Sequence, residues 1–223
     1  MGLTLRAIDS VPTDEGFVPG WTFGGGTSLA IDLEHRISYD IDAFMDSART
    51  IQRLVPVINP VTRSICWNPA TQQADYQYPG HYLKLIVGDV GEIDFLAASP
   101  LTAAATKPFD FDGRLIARER PAEVIAKKLY YRGSNFKTRD VFDLAGTFLV
   151  QPDELREAAS SPFMTPEVYA RARLRMELRA GSFIADIRQE VNPTEFGRSY
   201  LDRALEIAVV ALDFMEKHAR PAV

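Results

Sequence analysis

A run of three glycines at residues 24–26, separated by thirteen residues from the first of two closely spaced aspartates, constrains this chain more than any other feature. Glycine has no Cβ atom, so it adopts positive φ angles and lets other groups approach the backbone closely. Residues 27–36 carry apolar side chains at helical spacing and predict a short helix directly after the glycines. The free N–H groups and positive dipole end of such a helix predict an anion-binding site formed by Gly25, Gly26, Thr27 and Ser28. Neither a Walker A loop nor a dinucleotide-binding fingerprint is present.

Two aspartates, Asp40 and Asp42, lie on one face of a strand that alternation predicts over residues 38–45. Two carboxylates held this close repel each other unless a cation lies between them or one of them binds a proton. A divalent hard cation satisfies both, since Mg²⁺ typically takes one or two carboxylates together with substrate phosphates. A third acid on a neighbouring strand would complete a two-metal site, and the predicted strand 91–99 offers Asp94, with Glu92 on the same face.

The chain divides into two parts of different character near residue 120. In residues 1–120 we predict a second helix over 48–57 and strands over 63–67, 74–78, 81–88 and 91–99, separated by Pro and Gly turns. After residue 120 we predict helices over 121–132, 138–150, 152–160, 166–180 and 196–219. The predicted domains are therefore an α/β part, 1–120, and a helical part, 121–223.

Composition excludes several classes of protein. No apolar run approaches the roughly 20 residues of a membrane span, and residues 1–16 lack the plan of a secretory signal. The single cysteine, Cys66, excludes a disulfide within the chain and is compatible with a reducing cytosol. We therefore expect a cytoplasmic protein without a membrane partner.

The charge is unevenly distributed. A net charge of −5 does not favour general binding to nucleic acid. Residues 114–139, however, contain eight basic residues and only two acidic ones, so a local positive patch can hold phosphates. Four arginines of the predicted helix 166–180 are expected to spread around a solvated helix: Arg171, Arg173, Arg175 and Arg179.

Two segments resemble a known family. Residues 23–44, FGGGTSLAIDLEHRISYDIDAF, resemble the AbiEii/AbiGii toxin family of the DNA-polymerase-β-like nucleotidyltransferase superfamily, with its GGT-S-L motif followed by H-R-x-S-x-D-I-D-x-F. Residues 121–144 resemble that family's helical stretch, in which a lysine on one helix is followed by R-D-x-x-D-L. The resemblance implies an α+β fold, in which a polymerase-β-like nucleotidyltransferase core, a mixed sheet with helices, is followed by a helical C-terminal part.

The residue pattern and the resemblance together give each candidate residue an expected role. Phosphate or nucleotide binding is expected of Gly25, Gly26, Thr27, Ser28, Arg36, Lys128 and Arg132. Catalysis is expected of Asp40, Asp42, Asp94 and Lys128, and the three aspartates are expected to hold metal. The late motif consists of Arg139, Asp140 and Asp143, for which a structural ion pair and a site role both stay open. For Arg36, a contact with phosphate and an ion pair with an acid also both stay open.

The resemblance implies a metal-dependent enzyme that uses an NTP with Mg²⁺ or Mn²⁺. It would transfer the nucleotidyl group to a hydroxyl of an acceptor, tRNA or another RNA, and release pyrophosphate. The role of such families in toxin–antitoxin systems also implies a cognate antitoxin protein as a partner. Two alternatives stay open: a scaffold that binds nucleotide or a partner protein without turnover, and nucleotidyl transfer to a protein or a small molecule.

Overall fold

The structure, a computed structural model, describes residues 1–12 and 20–219 and forms two compact units. The first unit comprises Met1–Thr27, Tyr39–Ser99 and Pro108–Arg118. The second comprises Ser28–Ser38, Pro100–Lys107 and Glu119–Val223. The last entry of the chain into the second unit, at Glu119, lies next to the predicted boundary at residue 120, but two earlier segments belong to the second unit as well.

Strands are concentrated in the first half of the chain. In chain order they are β1 (Trp21–Gly24), β2 (Arg36–Ile37), β3 (Ile41–Met45), β4 (Trp67–Asn68), β5 (Gln73–Ala74), β6 (Tyr76–Gln77), β7 (Tyr82–Val87), β8 (Gly91–Ala97), β9 (Thr106–Phe111), β10 (Arg114–Glu119) and β11 (Asn192–Pro193). The main sheet is mixed and has seven strands in the order β6-β7-β8-β3-β1-β10-β9. The β2–β11 and β4–β5 pairs form two small separate sheets.

Helices occupy most of the second half. In chain order they are α1 (Gly2–Asp9), α2 (Gly25–Leu33), α3 (Ala48–Arg53), α4 (Pro60–Ile65), α5 (Pro121–Arg132), α6 (Thr138–Val150), α7 (Pro152–Ala159), α8 (Pro166–Arg179), α9 (Phe183–Glu190), α10 (Glu195–Tyr200) and α11 (Ala204–His218). Short 3₁₀ turns occupy Gly133–Asn135 and Leu201–Arg203. Throughout the described ranges, none of these helices has the length and apolar character needed to cross a membrane.

The predicted α+β fold class is confirmed by the mixed sheet and the helices that follow it. Ala122, Ile125 and Leu129 have helical spacing and are fully buried or nearly so, and burial of this apolar face stabilises α5. The β9–β10 hairpin was not predicted, although its turn carries a clear local signal. Asp112 and Gly113 both have positive φ, and an Asp-Gly pair is the preferred sequence of such a turn.

The predicted strand over residues 63–67 is wrong, because residues 60–65 form α4. Asn59 caps this helix, its Oδ1 accepting hydrogen bonds from the N–H groups of Val61 and Thr62 at 3.0 and 3.1 Å. Pro60 occupies the first helical turn, where its missing N–H is not needed. The cap and the proline together outweigh the strand preference of the residues that follow.

Strand β3 lies between β1 and β8 and has two different faces. It pairs antiparallel with β1 and parallel with β8. Ala43 and Met45 are fully buried in the apolar core of the first unit, which α1, α3 and α4 help to form. Because successive side chains of a strand point to opposite faces, Asp42 lies on the face away from this core.

The second unit is discontinuous in sequence because side chains of α5 and of the N-terminal cap of α10 bind distant segments. The buried carboxylate of Glu123 accepts hydrogen bonds from the N–H groups of Leu101 and Thr102, at 3.0 and 2.8 Å. The hydroxyl of Thr194 donates to the carbonyl of Glu34 at 2.6 Å, beside the β2–β11 pair. A boundary drawn from local sequence character does not detect such contacts.

Candidate active site

The glycine turn lies directly against one of the predicted acids. Helix α2 begins at Gly25, whose φ of 67° falls in the left-handed region. A Cβ atom at this position would lie 1.8 Å from Oδ2 of Asp42. Gly25 is therefore required both by the backbone conformation and by the space that the Asp42 carboxylate occupies.

Replacing Gly25 with alanine is expected to destabilise the first unit and displace the Asp42 carboxylate. The left-handed conformation costs a non-glycine residue about 1–2 kcal/mol, and the overlap with Asp42 adds to this cost. Gly113→Ala is the matched control, because Gly113 has a similar φ of 77° but no heavy atom within 4 Å of the added Cβ. Chemical denaturation followed by tryptophan fluorescence measures both variants. Equal losses of unfolding free energy in the two would contradict the contact with Asp42.

Two carboxylates face each other across neighbouring strands. The parallel register of β3 and β8 pairs Asp42 with Asp94, and the register of β1 and β3 pairs Asp42 with Gly24. Burial, and next the charge of Asp42, raises the pKa of Asp94 to about 6. Within residues 1–12 and 20–219, Oδ1 of Asp94 is buried without a hydrogen-bond partner. The pair therefore concentrates negative charge that water neutralises poorly.

Lys84 partly balances these acids and was not among the predicted site residues. The antiparallel register of β7 and β8 places it opposite Asp94, and its Nζ lies 3.2 Å from Oδ2 of Asp94. The same ammonium group forms an ion pair with Glu92. The side-chain alternation of β7 was a sequence signal for the face of Lys84, but only the register identifies its partners.

Asp40 lies just before β3 and contacts the backbone of β8. Its Oδ1 accepts a hydrogen bond from the N–H of Glu92 at 3.2 Å, and its carbonyl accepts one from the hydroxyl of Thr27. The structure thus brings Asp40, Asp42 and Asp94 onto adjoining positions of two neighbouring strands. The third acid, which the sequence left between Asp94 and Glu92, is the one in register with Asp42.

The acids have the chemistry of a site for a hard cation. Carboxylate oxygens are the ligands that Mg²⁺ and Mn²⁺ prefer, and the buried Oδ1 of Asp94 lacks any other partner in the described ranges. Among the same residues, no group of three or more His, Cys, Asp or Glu side chains is arranged as a set of metal ligands. Metal binding by Asp40, Asp42 and Asp94 therefore stays a prediction.

The raised pKa of Asp94 predicts that the metal-free protein loses stability as the pH rises. The folded state holds the proton with a pKa of about 6 and the unfolded state with 3.8, so the folded state binds more protons between these values. The free energy of unfolding should fall by roughly 2–3 kcal/mol between about pH 4 and pH 7, relative to Asp94→Asn. Urea denaturation of both proteins with EDTA at several pH values measures this difference. Parallel pH profiles would contradict it.

A second cluster of predicted residues is buried around Asp143 in the second unit. Oδ1 of Asp143 accepts hydrogen bonds from Nε2 of His35 at 2.7 Å and from Nε of Arg36 at 2.6 Å. Its Oδ2 lies 2.9 Å from Nζ of Lys128, which also forms an ion pair with Asp140. Burial would raise the pKa of Asp143, but Arg36 and Lys128 hold it well below the usual range. Arg36 therefore has an acid partner, which is buried rather than on the surface.

The other members of the late motif surround this cluster. Asp140 caps α6, since its Oδ2 accepts a hydrogen bond from the N–H of Lys137 at 3.0 Å. Arg132 lies 3.5 Å from Oδ1 of Asp140 and is more than a third exposed, while Arg139 is half-buried. The two aspartates of the late motif make structural ion pairs, and a role of the motif in the site stays a prediction.

Of the predicted phosphate-binding residues, Ser28 has the least exposed side chain. It is fully buried, and its hydroxyl donates to the carbonyl of Glu119 at 3.0 Å within the second unit. Gly25, Gly26 and Thr27 are half-buried members of the first unit. The first turn of α2 therefore remains the accessible part of the predicted phosphate site.

A groove of about 980 Å³ in the second unit does not coincide with the acids. Its lining is mostly apolar and includes Leu33, Val150 and Phe196, with Arg36 as the one predicted site residue. A metal-bound nucleotide needs oxygen ligands and a phosphate-binding backbone, both of which the first unit offers. We therefore place the candidate active site at the acids and not in this groove.

The structure combines a mixed sheet with in-register carboxylates beside a glycine turn. The family model described as nucleotidyl transferase AbiEii toxin of the type IV toxin–antitoxin system matches residues 12–190. This is most of the chain, and the protein belongs to that family, as the resemblance implied. No curated protein matches.

Among solved structures, the chain is similar to MenT4, a nucleotidyltransferase toxin from Mycobacterium tuberculosis H37Rv. The two are 14% identical with a TM-score of 0.49, and the match covers 97% of this chain and 86% of that chain.

Proposed function

We propose that the protein is a metal-dependent nucleotidyltransferase that uses an NTP to modify a hydroxyl of an RNA acceptor, such as tRNA, in the cytoplasm. The observation that carries the proposal is the contact between the glycine turn and Asp42, together with the register of Asp42 and Asp94. Membership of the nucleotidyltransferase toxin family supports the reaction type. The same membership supports a cognate antitoxin protein as a partner.

The glycine turn and the acids have different proposed roles. Backbone N–H groups at Gly25 and Gly26 bind phosphate oxygens at the start of α2. Asp40, Asp42 and Asp94 would hold Mg²⁺ or Mn²⁺, and the ion would supply positive charge for the triphosphate and for the acceptor hydroxyl. The acceptor oxygen bonds to the α-phosphorus, the bond to pyrophosphate breaks, and a carboxylate of Asp42 or Asp94 takes the hydroxyl proton. Electrostatic stabilisation and positioning supply most of the acceleration in phosphoryl transfer.

Labelled NTPs test this proposal directly. The protein is incubated with total RNA, each of the four labelled nucleotides in turn, and Mg²⁺ or Mn²⁺. We expect label in RNA with the wild type and none with Asp40→Ala or Asp42→Ala. Equal signals from all three proteins would exclude transfer at this site. Label that migrates with protein would instead favour a protein acceptor.

Metal binding has a test that does not depend on activity. A ligand that binds only the folded state raises the melting temperature as its concentration increases. Mn²⁺ or Mg²⁺ is expected to raise the melting temperature of the wild type and of Asp46→Asn, which changes an exposed acid after the other end of β3. The same ions should leave Asp42→Asn unchanged. A shift of the same size in all three proteins would place the ion elsewhere.

Lys128, with Arg132, is proposed to contribute to triphosphate binding, as the family resemblance implies. Its ammonium group is shared with Asp140 and Asp143, so its removal also affects folding. Lys128→Arg retains the charge in this cluster but changes the reach and geometry of the donor. We expect the KM for the NTP to rise in Lys128→Arg while its circular dichroism spectrum is unchanged. A wild-type KM would remove Lys128 from the proposed phosphate ligands.

A further inference from the structure

Basic side chains cluster around the connection between α5 and α6 in the second unit. They are Arg132, Lys137, Arg139, Arg171, Arg175 and Arg179. The three arginines of α8 follow one another at intervals of four residues and therefore share one face of the helix. This face borders the connection, since a Cβ at Gly133 would lie 3.6 Å from Cβ of Arg171, and Nη1 of Arg179 donates to the hydroxyl of Thr138 at 3.2 Å.

The four arginines of α8 were expected to spread around the helix. Three of them share one face, and only Arg173 lies apart from the others. Its guanidinium pairs with Asp213 and Glu216 on α11, at 2.8 and 3.2 Å. The remaining three arginines form the α8 side of the cluster that borders Gly133–Asn135.

Within the described part of the chain, several charges of this cluster have no acid within ion-pair distance. In the ranges that the structure describes, Lys137, Arg139 and Arg175 form no ion pair, and Nε of Arg175 is buried without a hydrogen-bond partner. Burial, and next the charges of Arg139 and Arg132, lower the pKa of Lys137, and Asp140 and Glu190 offset this only in part. A protein of net charge −5 that keeps such a group of cations together has a local site for anions.

An exposed aromatic side chain directly precedes one member of the cluster in sequence. Tyr131, next to Arg132 at the end of α5, is 53% exposed. Its ring packs edge-on against Tyr130, with centroids 5.0 Å apart, and Tyr130 packs against Phe163 at 5.6 Å. Tyr131 is therefore held in place by neighbours while much of its surface stays open to a ligand.

Cations beside an exposed, supported aromatic ring match one class of ligand best. In single-stranded nucleic acid the phosphates bind Arg and Lys, and the unstacked bases stack on aromatic side chains. A duplex keeps its bases stacked on one another and would not use Tyr131, and a mononucleotide would need only a few of the cations.

We propose that the surface formed by Arg132, Lys137, Arg139, Arg171, Arg175, Arg179 and Tyr131 binds a single-stranded segment of the RNA acceptor. This inference rests on the RNA acceptor of the proposed function. Arg and Lys side chains bind the phosphodiester backbone, and Tyr131 stacks on a base. The surface thus favours acceptors with an unpaired end over fully paired RNA.

Fluorescence anisotropy with a labelled single-stranded RNA of about 10 nucleotides, in EDTA and without NTP, tests the surface. The triple variant Lys137→Gln/Arg139→Gln/Arg175→Gln is expected to bind at least about tenfold more weakly, and its dependence of log K on log salt should fall by roughly 2. Tyr131→Ala should lose on the order of tenfold in affinity with an unchanged salt dependence.

The triple variant Arg156→Gln/Arg188→Gln/Arg203→Gln is the matched control, because it removes the same charge from exposed ion pairs elsewhere in the second unit. It should bind like the wild type. Equal loss in both triple variants, or no loss in the first, would overturn the proposal. Competition by duplex RNA as strong as by single-stranded RNA, or tighter binding of single-stranded DNA, would overturn the assignment to single-stranded RNA.

The two proposals fail separately. Asp42→Asn lacks the proposed transfer activity but should bind the oligonucleotide with wild-type affinity, because the cluster belongs to the second unit. Circular dichroism of the triple variants confirms that their helices are retained. If nucleotidyl transfer depends on Asp42 but the triple variant of the cluster binds RNA like the wild type, only this inference is refuted.

Discussion

Asp42→Asn is expected to lower nucleotidyl transfer by at least about 10²- to 10³-fold, the usual cost of removing one transition-state partner. Asparagine keeps the shape of the side chain and its place against Gly25, but it removes the charge that holds the metal. The change also removes the charge that raises the pKa of Asp94. We therefore expect the variant to be as stable as the wild type or more stable at neutral pH.

Lost activity together with retained stability distinguishes a role of Asp42 in the reaction from a role in folding. A residue that only supports the fold loses stability and activity together, whereas active-site residues often lose activity while stability rises. Asp46→Asn is the matched control, with the same chemical change beyond the opposite end of β3. Initial rates with labelled NTP and urea denaturation give the two measurements. An Asp42→Asn protein that transfers label at the wild-type rate would contradict the assignment.

Asp143→Ala is expected to destabilise the second unit by about 3–5 kcal/mol, because it removes the acid that two buried cations share. The carboxylate is fully buried and binds His35, Arg36 and Lys128. Two of these partners, Arg36 and Lys128, are cations that are themselves less than a tenth exposed. The loss should exceed that of an ordinary surface ion pair several-fold.

Asp213→Ala provides the comparison with an exposed ion pair. Asp213 is half-exposed and lies 2.8 Å from Arg173, so its removal is expected to cost less than about 1 kcal/mol. Both tryptophans, Trp21 and Trp67, belong to the first unit, so circular dichroism of the helices must follow the unfolding of the second. Similar losses for the two variants would show that the Asp143 cluster is not the main electrostatic support of this unit.

The low pKa of Asp143 also fixes the pH range in which the cluster stabilises the protein. A depressed folded-state pKa contributes stability above the unfolded value of 3.8, and this contribution is lost as the pH falls through the folded value. The difference in unfolding free energy between wild type and Asp143→Ala should therefore stay constant from neutral pH to about pH 4 and shrink only in stronger acid.

The candidate site was predictable where it depends on local pattern. The glycine run, the helix that follows it and the alternating Asp40 and Asp42 are close in sequence, and the backbone geometry of a helix start or a strand determines their arrangement. The positions of Lys84 and Asp94 were not predictable to the same degree. Their contact depends on which strands pair and in which register, and a shift by one residue would reverse every side chain of a strand.

By itself, the sequence determined most of the helices of residues 121–219, although not α9 or the break between α10 and α11, and it determined the separate strands that carry Asp42 and Asp94 and the glycine turn that needs no side chain. Each depends on interactions within a few residues, such as hydrophobic spacing, a proline at a helix start or a positive φ. Only the tertiary structure decided that Asp143 binds Arg36, 107 positions away, and that Glu123 recruits Thr102 into the second unit. Buried charges take whichever partner the packed chain brings within hydrogen-bond distance, because leaving them unpaired costs several kcal/mol.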